Sequence, residues 1–407
     1  MTSPPKPRLR YFEQSGSQRH IVGDDLYLYR QDPPRYKASI IGTGTIGQEH
    51  MRVATMLGRI AVHGIYDEAA VSMKVAVEEF AKYSDTSLKT YANLDSACND
   101  PDVDVLFICT PNFSHIDVLE VAARSGKPIF LEKPMATTLA DACRIVEIAD
   151  EYPAFIQVGL QYRYKAPYVE ARHEVLTRQI AGPVKTISMR EYRPPFLDKV
   201  NQWNKFSRLS GGTLVEKCCH YFDLLNLFAQ SEPVRVYATG DQAVNFTDFE
   251  KAGERSDIDD SAMVLVDYEN GIRASFTLAM FCPDFYEDLV ICGDKGRVIA
   301  TEQFNFQRSD CAKSTLSVEL GELGASRTTD VGYTRAIEQS GHHGSTFFEH
   351  LALANQMDGQ SVDSATPIEG LWSIIVASAA QESLGSKSAV NITEFIRSNG
   401  LDHILKR

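Results

Sequence analysis

Two hydrophobic rhythms divide this chain. Over the first part, short apolar runs alternate with stripes at helical spacing. Ala38-Ser39-Ile40-Ile41 is a buried-strand run. Ile46, Val53 and Leu57 then recur near helical period. Ile60 to Ile65 is a second run, Val103 to Cys109 a third and Pro128 to Leu131 a fourth. Between the last two, Ile116, Leu119, Val121 and Ala122 mark a helix; after Thr138, Leu139, Ala142, Ile145, Val146 and Ala149 mark another. Strand and helix in alternation imply a parallel sheet with crossover helices. Past Tyr152-Pro153 the rhythm changes to period two or β-branched runs: Val184–Glu191, Val234–Gly240, Ala262–Tyr268, Ile272–Leu278, Leu289–Cys292 and Arg297–Thr301. Glu269-Asn270-Gly271 and Gly293-Asp294-Lys295-Gly296 read as hairpin turns, so this second sheet is mostly antiparallel. Helices are expected on one face, with a second subunit paired to the other. Thr346–Asp358 and Glu369–Leu384 read as terminal helices. The expected units are an N-terminal extension at 1–35, a first domain at 36–153 and a second at 154–407.

The first strand runs into Gly42-Thr43-Gly44-Thr45-Ile46-Gly47, a G-x-G-x-x-G turn opening a helix. Gly42 allows the tight turn, Gly44 lets the backbone approach a pyrophosphate, and Gly47 lets the helix pack on the sheet. Unpaired N–H groups at the helix start, here from Thr45 and Ile46, suit phosphate. Asp67 ends the next strand, about 20 residues on, where a carboxylate takes the adenosine ribose hydroxyls. Its alternative is a helix cap. Glu68 follows with no arginine adjacent, so a 2′-phosphate meets repulsion and NAD is favoured over NADP. The fold class is α/β: an N-terminal Rossmann dinucleotide-binding domain plus a C-terminal α/β domain with a large, mostly antiparallel open sheet.

Charge and composition narrow the partners. The formal charge of −13 excludes a basic nucleic-acid face. No apolar run reaches the roughly 20 residues of a membrane span. Met1–Arg10 is proline-rich and basic without an apolar core, unlike a secretory signal. The eight cysteines show no metal-like spacing and suggest reduced thiols in a cytoplasmic protein. No metal is expected.

Three segments carry chemistry. Cys109-Thr110-Pro111-Asn112-Phe113-Ser114-His115 leaves a buried strand at the sheet edge where such folds bind ligand. Asn112 offers hydrogen bonds there; His115 either joins it or merely holds the helix start. Leu131-Glu132-Lys133-Pro134 leaves the next strand at the same edge. Glu132 could take ribose hydroxyls and Lys133 could reach the reacting carbon, or the two form an exposed ion pair. The third segment runs from Gly211-Gly212 through Glu216 and His220 to Asp223. On one continuous helix those last three share a face, so Glu216 could orient His220 as a general base. Ordinary helix pairs are the alternative, and a divalent metal on the trio a remoter one.

Taken together and in this order, these residues resemble the glucose–fructose oxidoreductase / inositol dehydrogenase / MocA-type (Gfo/Idh/MocA) family from about Arg35 onward. The resemblance implies oxidation or reduction of a CH–OH carbon of sugars and cyclitols with NAD(P). It implies a catalytic Lys133, an acid/base at His220 and a homo-oligomer. Glu216 stands where the family commonly has aspartate, and Cys218 where it has glycine. Arg163 and Tyr164 match the segment where the family often has substrate contacts, and Tyr192, Arg193, Trp203, Asp223 and His343 are further candidates to line the pocket. The resulting expectation is an NAD-dependent sugar or cyclitol dehydrogenase. Two alternatives are a non-catalytic NAD-sensing regulator, and a glycosidase or lyase with tightly bound NAD and transient oxidation.

Overall fold

A computed structural model of the chain describes residues 33–305, 312–321 and 324–403. The expected extension lies outside the described residues as far as residue 32. Among the described residues, β1 (Tyr36–Ile41), β2 (Ile60–Tyr66), β3 (Lys89–Thr90), β4 (Val105–Ile108), β5 (Ile129–Glu132) and β6 (Ile156–Gly159) form one parallel sheet. Its order is β3-β2-β1-β4-β5-β6, which is the doubly wound dinucleotide-binding order. β4 and β5 read Val-Leu-Phe-Ile and Ile-Phe-Leu-Glu and are buried throughout, as befits a sheet covered on both faces. The order reverses between β1 and β4, opening a crevice above their carboxyl ends.

The boundary expected at 153 falls inside this unit. Tyr152-Pro153 ends the helix Leu139–Glu151, and the chain then adds β6 to the same sheet beside β5. The apolar run Ile156–Gly159 is only four residues long, too short for its period to announce a strand.

The second sheet contains β7 (Val184–Tyr192), β8 (Pro233–Asp241), β11 (Ser261–Tyr268), β12 (Arg273–Ala279), β13 (Phe285–Gly293), β14 (Gly296–Phe304), β15 (Lys313–Leu320), β16 (Arg327–Asp330) and β17 (Val390–Asn391). A two-stranded ribbon, β9 (Glu250–Lys251) with β10 (Glu254–Arg255), lies apart. The large sheet runs β16-β15-β14-β13-β7-β12-β11-β8-β17; β7 and β12 are parallel and the other pairs antiparallel. Both expected hairpin turns are present, joining β11 to β12 and β13 to β14. The helices Cys219–Ala229 and Pro367–Ser386 cover one face; the latter starts on a capping box of Thr366 and Glu369. The other face leaves Tyr237, Met263 and Leu265 exposed.

One late element belongs to the first unit. The helix Ser345–Met357 packs on α1 (Thr45–Leu57), and its Leu353 and Ala354 share a core with Ile40, Phe107 and Phe130.

Candidate active site

The glycine turn is built for close approach. A side chain on Gly42 would strike the Cys109 backbone at 2.5 Å, and one on Gly47 would meet the Gly42 carbonyl at 2.0 Å. Gly44 has nothing within 4 Å of such a position, so its outer side is open. Gly44 also caps α1 with no side-chain hydrogen bond, leaving the N–H groups of Thr45 and Ile46 turned toward that space. Asp67 braces the turn: its carboxylate accepts from Thr43 N (2.8 Å), Thr43 Oγ1 (3.1 Å) and Ala69 N (2.9 Å). Across the crevice, Thr110 Oγ1 and Asn112 Nδ2 are buried without a partner among the described residues. An open glycine, uncapped helix amides and two orphaned polar groups beside Pro111 fit a bound dinucleotide.

Two residues expected to touch that cofactor are turned inward instead. Both ring nitrogens of His115 meet carbonyls, Pro134 O at 2.9 Å and Thr110 O at 3.0 Å, so this buried ring ties the β4 loop to the β5 loop. Burial pushes its pKa down. Glu132, expected as a ribose ligand, is held from within the protein. Its Oε1 faces His50 Nε2 of α1 at 2.7 Å and its Oε2 accepts from Lys133 N at 2.9 Å. Burial pushes the Glu132 carboxyl up, but His50 and Lys133 hold it below its ordinary value. His50 Nδ1 in turn meets His350 Nε2 at 2.7 Å.

The single helix expected from Glu216 to Asp223 is broken. Thr213–Glu216 is one short turn, Lys217 and Cys218 form a turn that keeps right-handed backbone, and a new helix runs Cys219–Ala229. In an unbroken helix the Glu216 carbonyl would accept from the His220 N–H; here Lys133 Nζ donates to it at 3.2 Å. Among the described residues, no hydrogen bond joins the Glu216 carboxylate to His220. The imidazole is buried, and its Nδ1 has no hydrogen-bond partner among the described residues. Burial and the charges of Lys133, Lys217, His342 and Lys165 push its pKa well below the ordinary value.

The residues expected to line a substrate pocket divide. Arg163 and Asp223 are buried against each other, Nε–Oδ2 2.7 Å and Nη2–Oδ1 2.6 Å, with Glu369 2.9 Å from Arg163. They form a buried ion cluster. The Tyr164 hydroxyl donates to Asp363 O at 3.3 Å, again away from Lys133. Tyr192 stacks with Tyr286 at 6.2 Å, and Arg193 sits 3.6 Å from Glu191. Trp203 meets Phe113 edge-on at 6.2 Å, carrying the 200–205 segment over the β4 loop. His343 Nδ1 lies 2.7 Å from Glu302 Oε1, and His342 Nδ1 lies 2.7 Å from Glu49 of α1. His342 and His343 both have left-handed backbone, φ 41° and 54°, an expensive conformation for side-chain-bearing residues.

Residues 36–160 match the sequence model described as "Oxidoreductase family, NAD-binding Rossmann fold", and residues 174–392 that of the "Oxidoreductase family, C-terminal alpha/beta domain". The chain belongs to the Gfo/Idh/MocA oxidoreductase family. It is 26% identical over 357 residues to an uncharacterized oxidoreductase, YrbE, of Bacillus subtilis, covering 87% of this chain and 95% of that one. It is 24% identical over 364 residues to a myo-inositol 2-dehydrogenase of Thermotoga maritima, covering 88% and 99%. A levoglucosan dehydrogenase complexed with NADH superposes with a TM-score of 0.73 at 19% identity, covering 88% and 99%.

This Gfo/Idh/MocA chain also has site residues that its periodicity did not reveal. Glu191 on β7, Glu287 on β13 and Glu302 on β14 stand opposite one another in register, a row of buried carboxylates across three neighbouring strands. Lys217 Nζ lies 3.1 Å from Glu191. Lys165 Nζ pairs with Glu287 and, at 2.6 Å, with Glu302. Between these cations lies Tyr162, whose hydroxyl is 2.7 Å from Lys217 Nζ. The signal for this row is a charged residue at an inward position of each strand. Beside it, the Cys218 and Cys219 thiols are buried, which raises both pKa values, Cys219 to about 12. Inert thiols at this point argue for packing rather than nucleophilic chemistry.

Proposed function

We propose that this protein is an NAD-dependent dehydrogenase acting on a CH–OH carbon of a sugar, sugar derivative or cyclitol. The observation that carries this reading is the contact of Lys133 with the turn that begins the His220 helix, over the crevice beside the glycine turn. NAD, when bound, supplies the hydride acceptor. The chain supplies placement and proton handling. Lys133 donates a hydrogen bond to the substrate hydroxyl oxygen. His220, held uncharged by its surroundings, takes the hydroxyl proton as the carbonyl forms. Asp67, with Glu68 beside it, favours NAD over its 2′-phosphorylated form. The names of two similar proteins, for myo-inositol and for levoglucosan, support the substrate class. A second copy of this chain, set against the sheet face that exposes Tyr237, Met263 and Leu265, completes the proposal.

The test is a panel of sugars, anhydrosugars, glycosides and inositols with NAD, read by absorbance at the NADH band with products identified. Accumulating NADH and a ketone or lactone support a dehydrogenase. Product with no net NADH indicates a glycosidase or lyase. NAD binding with no product indicates a sensor.

A further inference from the structure

Lacking a hydrogen bond from Glu216, His220 must be oriented by something else. Tyr162 lies flat against it, ring centroids 4.0 Å apart and planes 6° from parallel. The phenol is itself held on several sides. Its hydroxyl meets Lys217 Nζ at 2.7 Å, and the Tyr221 ring meets it edge-on at 5.5 Å. Lys165 Nζ stands 4.2 Å from the same centroid. A parallel imidazole at 4.0 Å fills one face of the phenol, so the ammonium takes the other. The order through space is therefore imidazole, phenol, ammonium. Behind the ammonium are Glu287 and Glu302, and His343 bonds to Glu302.

We propose that Tyr162 is the positioning residue of His220: its ring sets the imidazole plane where a carboxylate would otherwise do so, and links it to the buried Lys165–Glu287–Glu302 cluster. This deepens the dehydrogenase reading and rests on it for the role of His220. Two physical effects follow from the stack. It removes one face of the imidazole from water, which disfavours the imidazolium. It also places a cation on the far side of an electron-rich ring, where cation–π attraction locks both partners. The charged groups facing His220 are Lys133 from the β5 loop, Lys217 from the preceding turn, His342 from the 341–344 loop and Lys165 behind Tyr162. The carboxylates beyond them, Glu191, Glu287 and Glu302, are each within ion-pair distance of one of these lysines. Among the described residues no acid touches the imidazole, so no pairing favours its charged form.

The test needs no substrate. Protein labelled with carbon-13 at histidine Cε1 is titrated by NMR, His220 being assigned from the signal missing in His220→Gln. In the unmutated protein the His220 proton signals are displaced upfield by the phenol ring, and its midpoint lies below about 6.5. Tyr162→Leu opens that face to water and moves the midpoint up by about one unit. It lowers kcat by about 10- to 100-fold, the scale of a misplaced proton-transfer group, with the KM for NAD unchanged. Tyr162→Phe keeps the stack and restores the upfield shift and most of the turnover. An unchanged midpoint and kcat in Tyr162→Leu overturn the proposal. Should that variant fail to fold, the unmutated protein decides alone: a His220 signal without the ring-current displacement overturns it. A panel without turnover, alongside a displaced His220 signal that moves in Tyr162→Leu, sinks the dehydrogenase reading and leaves the Tyr162–His220 relation standing.

Discussion

Lys133 of the first domain donates its Nζ proton to the main-chain carbonyl of Glu216 in the second, 3.2 Å away. The bond falls at the end of the short turn Thr213–Glu216, just before the helix that begins at Cys219 and carries His220. In the proposed dehydrogenase, the same side chain faces the substrate hydroxyl. Lys133→Ala should lower turnover by about 10²- to 10⁴-fold, the range for a lost proton-handling group. NAD titration should change little. Near-normal turnover in that variant would remove Lys133 from the chemistry.

Asp67 braces the glycine turn through Thr43 N and Ala69 N, beside its proposed role toward the ribose. Asp67→Ala should raise the KM for NAD by about tenfold, equivalent to about 1.4 kcal/mol, and narrow the preference over NADP. Initial rates with both nucleotides check this. An unchanged ratio would leave Asp67 a purely structural brace.

Arg163 is a stability residue by its geometry. Arg163→Ala strands Asp223, a buried carboxylate whose pKa burial already raises. The cost should be about 3–5 kcal/mol, seen in denaturant midpoints. Pairing it with Asp223→Leu should recover much of the loss. A large rise in substrate KM with unaltered stability would return Arg163 to the pocket.

Glu49 links α1 to the 341–344 loop. Burial pushes its carboxyl up, but the charge and hydrogen bond of His342 and a bond from Thr346 win, holding it at about 2. A depressed carboxylate binds fewer protons folded than unfolded, so its stabilisation is complete above about 4.5 and is lost as pH falls toward 2. Glu49→Gln should therefore lower the melting temperature at pH 6, and the gap to the unmutated protein should close on acidification. A gap that widens below pH 4 would contradict the assignment.

Local chemistry made the glycine turn, Asp67 and the buried strands β4 and β5 legible, because short-range spacing determines each of them. The larger strands and their hairpin turns were legible for the same reason. What escaped depends on distant chain. Glu216, His220 and Asp223 share a face on any unbroken helix; the break lies beside a bond from Lys133, 83 residues earlier, that no local spacing shows. Glu132 reads as a sheet-edge carboxylate until His50 of α1 is seen behind it. The row Glu191, Glu287 and Glu302 exists only once three strands are in register. Tyr162, immediately before the pocket candidates Arg163 and Tyr164, carries no local signal of its stack on His220.

The helix Ser345–Met357 has a consequence for synthesis. Its Leu353 and Ala354 complete the core around Ile40 and Phe107, and its His350 closes the hydrogen-bond chain from Glu132 through His50. A nascent chain released only as far as β6 lacks those pieces. The nucleotide-binding sheet therefore gains its full core only once Ser345–Met357, nearly 190 residues after β6, has been synthesised.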